Sequence, residues 1–235
     1  ACLITGTTGA GKSTLAGLYA EAAAKRGERS VIYCFDERRQ TFLRRSAALG
    51  MGIEEYIEKG LLELHQVNVG ELTPGEFAHN IRHTVEEKLP KVLVIDSLNG
   101  YFNAMTEHRQ LLVQLHELLS FLSGAGVLTL LLVADKGFFN QRETDVDASY
   151  IAETVVLMRN FEAGGAIRRC ISMLKKRYGD HEKTIREIRI GMGGIRVGEP
   201  LRQFSGLLTG SPLYVGETAK LLGGGEPSDP TDYRF

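Results

Sequence analysis

The chain has 235 residues, of which 43% are hydrophobic and 24% charged, and its formal net charge is −1. This length and apolar fraction suit one large α/β domain with its own core. A nearly neutral chain lacks the charge excess that phosphate backbones attract, so nucleic acid is not indicated as the main partner. The three cysteines, Cys2, Cys34 and Cys170, are odd in number and lack Cys-x-x-Cys spacing. A reduced cytoplasm is therefore the predicted location.

The first predicted strand covers residues 2–5, and a glycine-rich stretch with the pattern Gly-x-x-x-x-Gly-Lys-Ser follows it directly. An alanine-rich helix is predicted from about Lys12 to a stop at Gly27. Strand, loop and helix in this order are the context of a phosphate-binding loop. Its predicted nucleotide-binding residues are Gly6, Thr7, Thr8, Gly9, Ala10, Gly11, Lys12, Ser13 and Thr14. Because the chain lacks an initiator methionine and begins inside a strand, we expect it to lack its first residues or a preceding domain.

Each part of this loop has a physical task. Glycines allow backbone N–H groups to face phosphate oxygens, and the helix N-terminus adds partial positive charge. Lys12 reaches the β- and γ-phosphates, and the Ser13 hydroxyl is a Mg²⁺ ligand. ATP and Mg²⁺ are thus the predicted ligands. A glycine-rich turn that matches the pattern by chance is the alternative interpretation.

Two acids follow the second predicted strand, which covers residues 30–35 and precedes a helix over about 38–49. Asp36 and Glu37 lie just past the strand end, at the edge where an open parallel sheet binds its ligands. A carboxylate there can polarise an attacking water or hydroxyl. Acids also favour the first turn of a helix, so a solvated helix start is the alternative.

The middle of the chain continues the alternation of strands and helices. A short strand at 61–67 precedes Thr-Pro-Gly-Glu at 73–76, which predicts a capped helix running to about Lys88. The next strand, 91–96, ends in Asp96, which we predict to hold the magnesium shell through water. Capping of the following turn is the alternative for this aspartate. A helix over about 106–123 and a strand over 127–135 complete a pattern typical of parallel sheets.

The last third of the chain has a different pattern. From Ile151 onward, successive strands joined by turns predict an antiparallel edge. The longest apolar run, residues 127–134, is too short to span a bilayer, so no membrane partner is predicted. We predict one domain over 1–215 and a mobile tail over 216–235, which has too few apolar residues to pack.

The phosphate loop, the strand-end acids and the sequence "VLVIDSL" together resemble the RecA-like ATPases, and among them the KaiC type. The similarity runs to about Val215 and is closest to the second, kinase-bearing domain of the double-domain form. The segments "AALGMGIEEYIEKGLLEL" and "GEPLRQFSGLLTGSP" are similar to that family's linker and final segment. The implied fold class is a RecA-like P-loop NTPase, an α/β fold with a mostly parallel twisted sheet flanked by helices and an antiparallel C-terminal edge.

The resemblance assigns catalytic roles. In that family both strand-end acids are usually glutamate and serve as the general base; here Asp36 replaces the first, so Glu37 is the predicted principal base. The family forms hexameric rings with ATP between subunits, and the neighbour supplies a Lys-x-Arg pair. The sequence "MLKKRYGDH" matches with Lys175 and Arg177, which would stabilise γ-phosphate charge as an arginine finger does. Without the resemblance, a basic surface hairpin is the alternative.

A phosphate acceptor is also implied. The kinase-bearing domain of the family carries a Ser-Thr pair that receives the neighbour's γ-phosphate, and the corresponding pair in "DASYIAETVV" is Ser149-Tyr150. Ser149 keeps an acceptor hydroxyl, whereas Tyr150 can accept only with a different reach. A plain strand lead-in with a buried tyrosine is the alternative.

The predicted function is an ATP-hydrolysing signalling domain that phosphorylates Ser149 within a ring of copies. One alternative is a DNA-dependent, recombinase-like motor, and another is an assembly module that uses ATP without phosphotransfer. The segments "LNGYFNAMTEH" and "KGFFNQRETDVD" carry little net positive charge, so binding to a DNA backbone is not favoured.

Overall fold

The computed structural model describes residues 1–68, 70, 72–103, 108–134, 151–208 and 212–215. The strands are β1 (Cys2–Gly6), β2 (Ser30–Cys34), β3 (Leu62–Gln66), β4 (Val92–Asp96), β5 (Leu128–Ala134), β6 (Thr154–Ala163), β7 (Ala166–Lys176), β8 (Arg186–Gly191), β9 (Gly194–Pro200), β10 (Phe204–Ser205) and β11 (Leu213–Tyr214). The helices are α1 (Lys12–Lys25), α2 (Arg39–Ala48), α3 (Ile53–Glu58), α4 (Pro74–Lys88), α5 (Leu98–Asn103) and α6 (His108–Gly124).

Nine of these strands form one sheet, in the order β3-β2-β4-β5-β1-β6-β7-β8-β9. The first six strands of that order are parallel to one another. The last three continue the sheet with antiparallel pairing, and β10 and β11 form a small separate sheet. The predicted fold class, a mostly parallel sheet with an antiparallel C-terminal edge, is confirmed.

The sheet has a hydrophobic core on each face because successive residues of a strand point to opposite sides. Along β2, Val31 and Tyr33 belong to one core, whereas Ile32 and Cys34 belong to the other. Helices α4 and α6 cover the first core with branched residues, namely Ile81, Val85, Leu111, Leu115, Leu118 and Leu122. Helix α1 covers the second core with small residues, namely Ala16, Ala20 and Ala23. These small residues let α1 lie close to the sheet, and its first turn therefore lies close to the strand ends.

The predicted cap of α4 is present in full. The Glu76 backbone N–H donates to Thr73 Oγ1 at 3.2 Å, and the Thr73 backbone N–H donates to Glu76 Oε2 at 2.8 Å. This reciprocal capping box satisfies two N–H groups that the helix itself leaves without partners. The helix ends at Leu89, whose φ of 50° is left-handed.

Some elements differ from the prediction. Helices α3 and α5 and strand β9 were not predicted. Helices of six residues show little periodicity, and β9 contains two glycines, Gly194 and Gly198. Strand β6 pairs in parallel with β1, so the antiparallel edge begins only at β7. The turn between them holds Gly164 and Gly165 at φ 60° and 76°, which glycine adopts without strain.

Among the described helices, none is long and apolar enough to cross a membrane. The predicted tail, 216–235, lies outside the described residues, and the domain boundary at 215 stays a prediction.

Candidate nucleotide-binding site

The loop between β1 and α1 is held by close contacts that only glycine allows. A Cβ at Gly6 would lie 1.7 Å from the carbonyl oxygen of Met158 on β6. A Cβ at Gly11 would lie 2.2 Å from Cδ1 of Ile190 on β8, and Gly11 also has a left-handed φ of 102°. One end of the loop therefore lies against β6 and the other against β8.

Polar contacts from β6 and β7 hold the middle of the same loop. The side chain of Asn160 donates to the carbonyl of Thr8 at 3.2 Å, and its backbone N–H donates to Thr7 Oγ1 at 3.3 Å. Arg169 Nε donates to the carbonyl of Gly9 at 3.1 Å. With these carbonyls turned towards β6 and β7, the loop keeps one shape, as a phosphate cradle requires.

The start of α1 is electropositive. Lys12 is buried, and its Nζ donates to the carbonyl oxygens of Gly6 at 2.7 Å and Thr7 at 2.9 Å. The first turn of α1 contains no acidic residue, so nothing there neutralises the positive end of the helix dipole. A buried ammonium group beside a helix N-terminus is a setting that phosphate groups fit.

Ser13 and Asp96 meet at the predicted magnesium position, since the Ser13 hydroxyl hydrogen-bonds the Asp96 carboxylate. Burial raises the pKa of Asp96; the Ser13 hydrogen bond opposes this, and the nearby charge of Glu37 adds to it. A hydroxyl and a carboxylate are oxygen donors of the kind that Mg²⁺ prefers. The residues present thus fit the predicted ion.

The three predicted carboxylates share one cavity of about 700 Å³ with the loop. Asp96 ends β4 beside Cys34 at the end of β2, and Asp36 and Glu37 follow β2 directly. Ser97 Oγ donates to Asp36 Oδ2 at 2.6 Å, which orients that carboxylate. Asp36, Glu37 and Asp96, called the acid cluster below, lie at the carboxyl ends of adjacent parallel strands, as predicted.

Glu37 has a cationic partner that sequence reasoning missed. Arg45 on α2 donates from Nε to Glu37 Oε1 at 3.1 Å and from Nη2 to Oε2 at 2.8 Å. Its Nη1 donates to Thr14 Oγ1 at 3.2 Å, and its guanidinium lies 4.9 Å from the centre of the Phe42 ring. Burial alone would lower the pKa of Arg45, but the hydrogen bonds and charge of Glu37 raise it overall. No sequence motif marks an arginine eight positions after an acid. Only the packing of the folded chain brings Arg45 to Glu37.

Cys34 lies beneath the acid cluster. Burial and the negative charges of Asp96 and Glu37 raise the pKa of its thiol to about 12. The thiol therefore stays protonated at neutral pH and has no nucleophilic role in this site.

The structure does not bring Lys175 and Arg177 to the loop of their own chain. Cys2 pairs with Thr154, which pairs with Lys176, whereas the loop follows Gly6 at the other end of β1. Four residues of strand separate the two ends by about 13 Å. Lys175 Nζ donates to the carbonyl of Ala152 at 2.9 Å, and Arg177 directly follows β7. Neither residue lines the cavity.

The predicted acceptor pair, Ser149 and Tyr150, lies outside the described residues. Ile151, the residue that follows it, is described, and Ala152 after it accepts the Lys175 hydrogen bond. The chain segment that carries the pair therefore leads directly into the start of β6, beside Lys175.

A phosphate loop between β1 and α1, a strand-end aspartate on β4 and the order β3-β2-β4-β5-β1 define a RecA-like P-loop ATPase fold. The sequence profile of the KaiC ATPase family matches residues 1–202. The chain belongs to the KaiC family of ATPases, which confirms the predicted class of a P-loop, ATP-binding ATPase domain.

Individual relatives agree with this assignment. The circadian clock protein KaiC3 of Synechocystis sp. is 28% identical over 220 residues, which cover 92% of this chain and 43% of that protein. The circadian clock oscillator protein KaiC of Picosynechococcus sp. is 27% identical over 215 residues, which cover 91% of this chain and 41% of that protein. The chain thus spans about two fifths of the length of these curated relatives.

Proposed function

We propose that this domain hydrolyses ATP and transfers the γ-phosphate to Ser149 of a second copy within a ring. Two adjoining copies are the smallest unit that would complete the site. One observation carries the proposal: the loop and the acid cluster share a cavity, while Lys175 and Arg177 lie at the opposite edge of the sheet. In this proposal, the cations at that edge serve the phosphates of another copy. Relatives named as clock proteins support a signalling role.

Within one copy, each residue has a distinct task. Lys12 and the loop N–H groups bind the phosphates, and Ser13 and Asp96 would hold Mg²⁺, Asp96 through water. When bound, Mg²⁺ neutralises phosphate charge and holds the β- and γ-phosphate oxygens in place. The proton of the attacking group is taken by Glu37 as principal base, with Asp36, held by Ser97, beside it.

The neighbouring copy would complete the site. Lys175 and Arg177 carry positive charge to the γ-phosphate, where negative charge spreads over the oxygens during transfer. This asymmetric contact joins the loop edge of one copy to the opposite edge of the next, and a head-to-tail contact of that kind forms a ring when its rotation closes. The hexameric ring predicted from the resemblance stays a proposal.

Transfer to the protein follows the same geometry as hydrolysis. The Ser149 oxygen forms a bond to the γ-phosphorus while the bond from that phosphorus to the β–γ bridging oxygen breaks and ADP leaves. Glu37 takes the proton of the serine hydroxyl. Support comes from the sequence, because Ser149 lies three positions before Ala152, whose carbonyl accepts the hydrogen bond from Lys175. In hydrolysis, water takes the place of the serine.

Location and the competing functions are proposals as well. The three cysteines are free, and Cys34 and Cys170 are buried, which supports the predicted reduced cytoplasm. A DNA-dependent motor would require an ATPase rate that rises with single-stranded DNA, and a pure assembly module would require no turnover at all.

The first experiment is incubation of the purified protein with γ-labelled ATP and Mg²⁺, followed by phosphopeptide mapping. We expect label on Ser149 that is absent in Ser149→Ala and in Glu37→Gln. Released phosphate without labelled peptide would restrict the function to hydrolysis. Absence of both products, with ATP still bound, would overturn the proposal in favour of the assembly module.

A further inference from the structure

Arg45 connects the proposed base to the phosphate loop. Its guanidinium binds both oxygens of Glu37, at 3.1 and 2.8 Å, and the hydroxyl of Thr14 at 3.2 Å. Thr14 directly follows Ser13 in the first turn of α1. One side chain therefore spans the gap between the residue that would take the proton and the residues that would bind the phosphates.

The guanidinium of Arg45 has N–H donors to spare. Of its five N–H groups, three donate to Glu37 and Thr14, which leaves two without an acceptor among the described residues. About 29% of the Arg45 side chain is exposed, and the side chain lines the cavity. An incoming phosphate can therefore reach this cation without any rearrangement of the fold.

Phosphate and Glu37 compete for the same cation. Arginine binds phosphate oxygens with two parallel hydrogen bonds, as it binds a carboxylate, and a polyphosphate carries more negative charge than one glutamate. The negative charges of the acid cluster repel the nucleotide phosphates, and a cation that moves towards the phosphates reduces this repulsion. The Phe42 ring contacts the guanidinium itself, with its centre 4.9 Å from Arg45 Cζ, and this cation–π contact competes with neither anion.

While Arg45 holds both oxygens of Glu37, that carboxylate is engaged with the guanidinium and not with an attacking water or hydroxyl. We propose that Arg45 is a positioning residue that exchanges Glu37 for nucleotide phosphate, so that the base becomes available only in an occupied site. This inference rests on the proposed function, since it takes Glu37 as the base. A static alternative is that Arg45 keeps Glu37 throughout and merely orients it.

A double-mutant cycle on nucleotide binding separates these two cases without any chemical step. Mg²⁺–ADP is titrated by calorimetry into the unchanged protein, Glu37→Gln, Arg45→Ala and the double variant. Exchange predicts that Glu37→Gln tightens binding about three- to tenfold when Arg45 is present, because the competitor for the guanidinium is weakened. It predicts a smaller effect in the Arg45→Ala background.

Simple repulsion between Glu37 and phosphate predicts the reverse order. Without Arg45 to screen its charge, Glu37 would repel ADP more, so Glu37→Gln would help most in the Arg45→Ala background. An equal or larger effect in that background would overturn the proposal. Because only binding is measured, this outcome is independent of whether Glu37 proves to be the base.

Kinetics give a second readout. Arg45→Ala is expected to raise the KM for ATP about tenfold with kcat largely kept, whereas a static orienting role would lower kcat. Arg45→Lys, which keeps the charge, should recover part of the KM. The matched control is Arg44→Ala, an exposed arginine on the same helix, which should change neither constant. A Glu37→Gln variant with full turnover would instead count against the proposed function, and the binding cycle would still decide the role of Arg45.

Discussion

The parallel and antiparallel parts of the sheet differ in what each contributes to the site. The parallel strands β1, β2 and β4 end in the phosphate loop and the acid cluster, which meet in one cavity. The antiparallel strand β7 carries Lys175 near its end and is followed directly by Arg177, about the length of β1 away from that cavity. The parallel part thus carries the phosphate loop and the acid cluster, and β7 and β8 add Arg169 and Ile190 to the same cavity, which Lys175 and Arg177 do not line. In the proposed function, a second copy brings these distant cations to the site.

The strongest test of this division removes the distant cations. The double substitution Lys175→Ala/Arg177→Ala is expected to lower the ATPase rate about a thousandfold, because cations on a γ-phosphate contribute that much in related chemistry. ADP binding should stay within about twofold, since the loop is intact. Lys176→Ala, which changes the residue between them, is the matched control and should keep most activity.

Mixing variants shows whether the cations act on another copy. Lys12→Ala keeps Lys175 and Arg177 but lacks the loop lysine, and the double variant has the reverse defect. In an equal mixture, about one quarter of the interfaces in a ring therefore join an intact loop to intact cations. A recovered rate is the expected outcome. Co-assembly of the two variants without recovery would mean that the cations act within their own chain or not at all.

Within the parallel part, the loop lysine governs binding. Lys12→Ala is expected to weaken ATP binding about 100-fold, or ~3 kcal/mol, because it removes a charge-assisted contact beside the helix N-terminus. Fluorescent nucleotide titration measures this loss. Lys25→Ala, at the exposed end of the same helix, is the control and should bind normally. A loss of less than about threefold would contradict the role of Lys12.

The free energy of unfolding provides a smaller contrast, between one acid in the parallel part of the sheet and one in the antiparallel part. The raised pKa of Asp96 means that the folded protein holds this proton more tightly than the unfolded chain does. The stabilisation that results from this raised pKa is fully present below the ordinary pKa of 3.8, and it is lost as the pH rises through the pKa of Asp96 in the folded protein. At pH 7 without nucleotide, Asp96→Asn should therefore raise the free energy of unfolding by ~1 kcal/mol, with less gain near pH 4.

The counterpart in the antiparallel part is Glu187 on β8, which is 3% exposed and accepts a hydrogen bond from Arg168 at 3.1 Å. Glu187→Gln should lower the free energy of unfolding by ~2 kcal/mol, since it leaves a cation without its charged partner. Urea unfolding measures both variants. A lower free energy of unfolding for Asp96→Asn would contradict the environment described for Asp96, and a higher one for Glu187→Gln would contradict that described for Glu187.

The sequence predicted the features that are written locally. The loop, the strand-end acids and the Thr73–Glu76 capping box each occupy a few consecutive positions with a fixed chemical pattern, and all were found where expected. The pairing of β6 with β1 was not predicted, because a parallel neighbour about 150 residues away leaves no mark on either strand. Arg45 was missed for the same reason, since its contacts with Glu37 and Thr14 arise only when α2 packs beside the loop.

The close approach of Gly6 to the carbonyl of Met158 has a mechanical consequence. Strand β6 is pressed against the loop near its middle, and its first residues pair with the end of β7 that carries Lys175. Both contacts lie on one hydrogen-bonded strand, so we expect a displacement of the loop to reach that far edge along β6. In the proposed ring, this edge touches the next copy's nucleotide. The nucleotide sites of neighbouring copies would then be coupled, because β6 connects the loop of each copy to the edge that contacts the next copy's nucleotide.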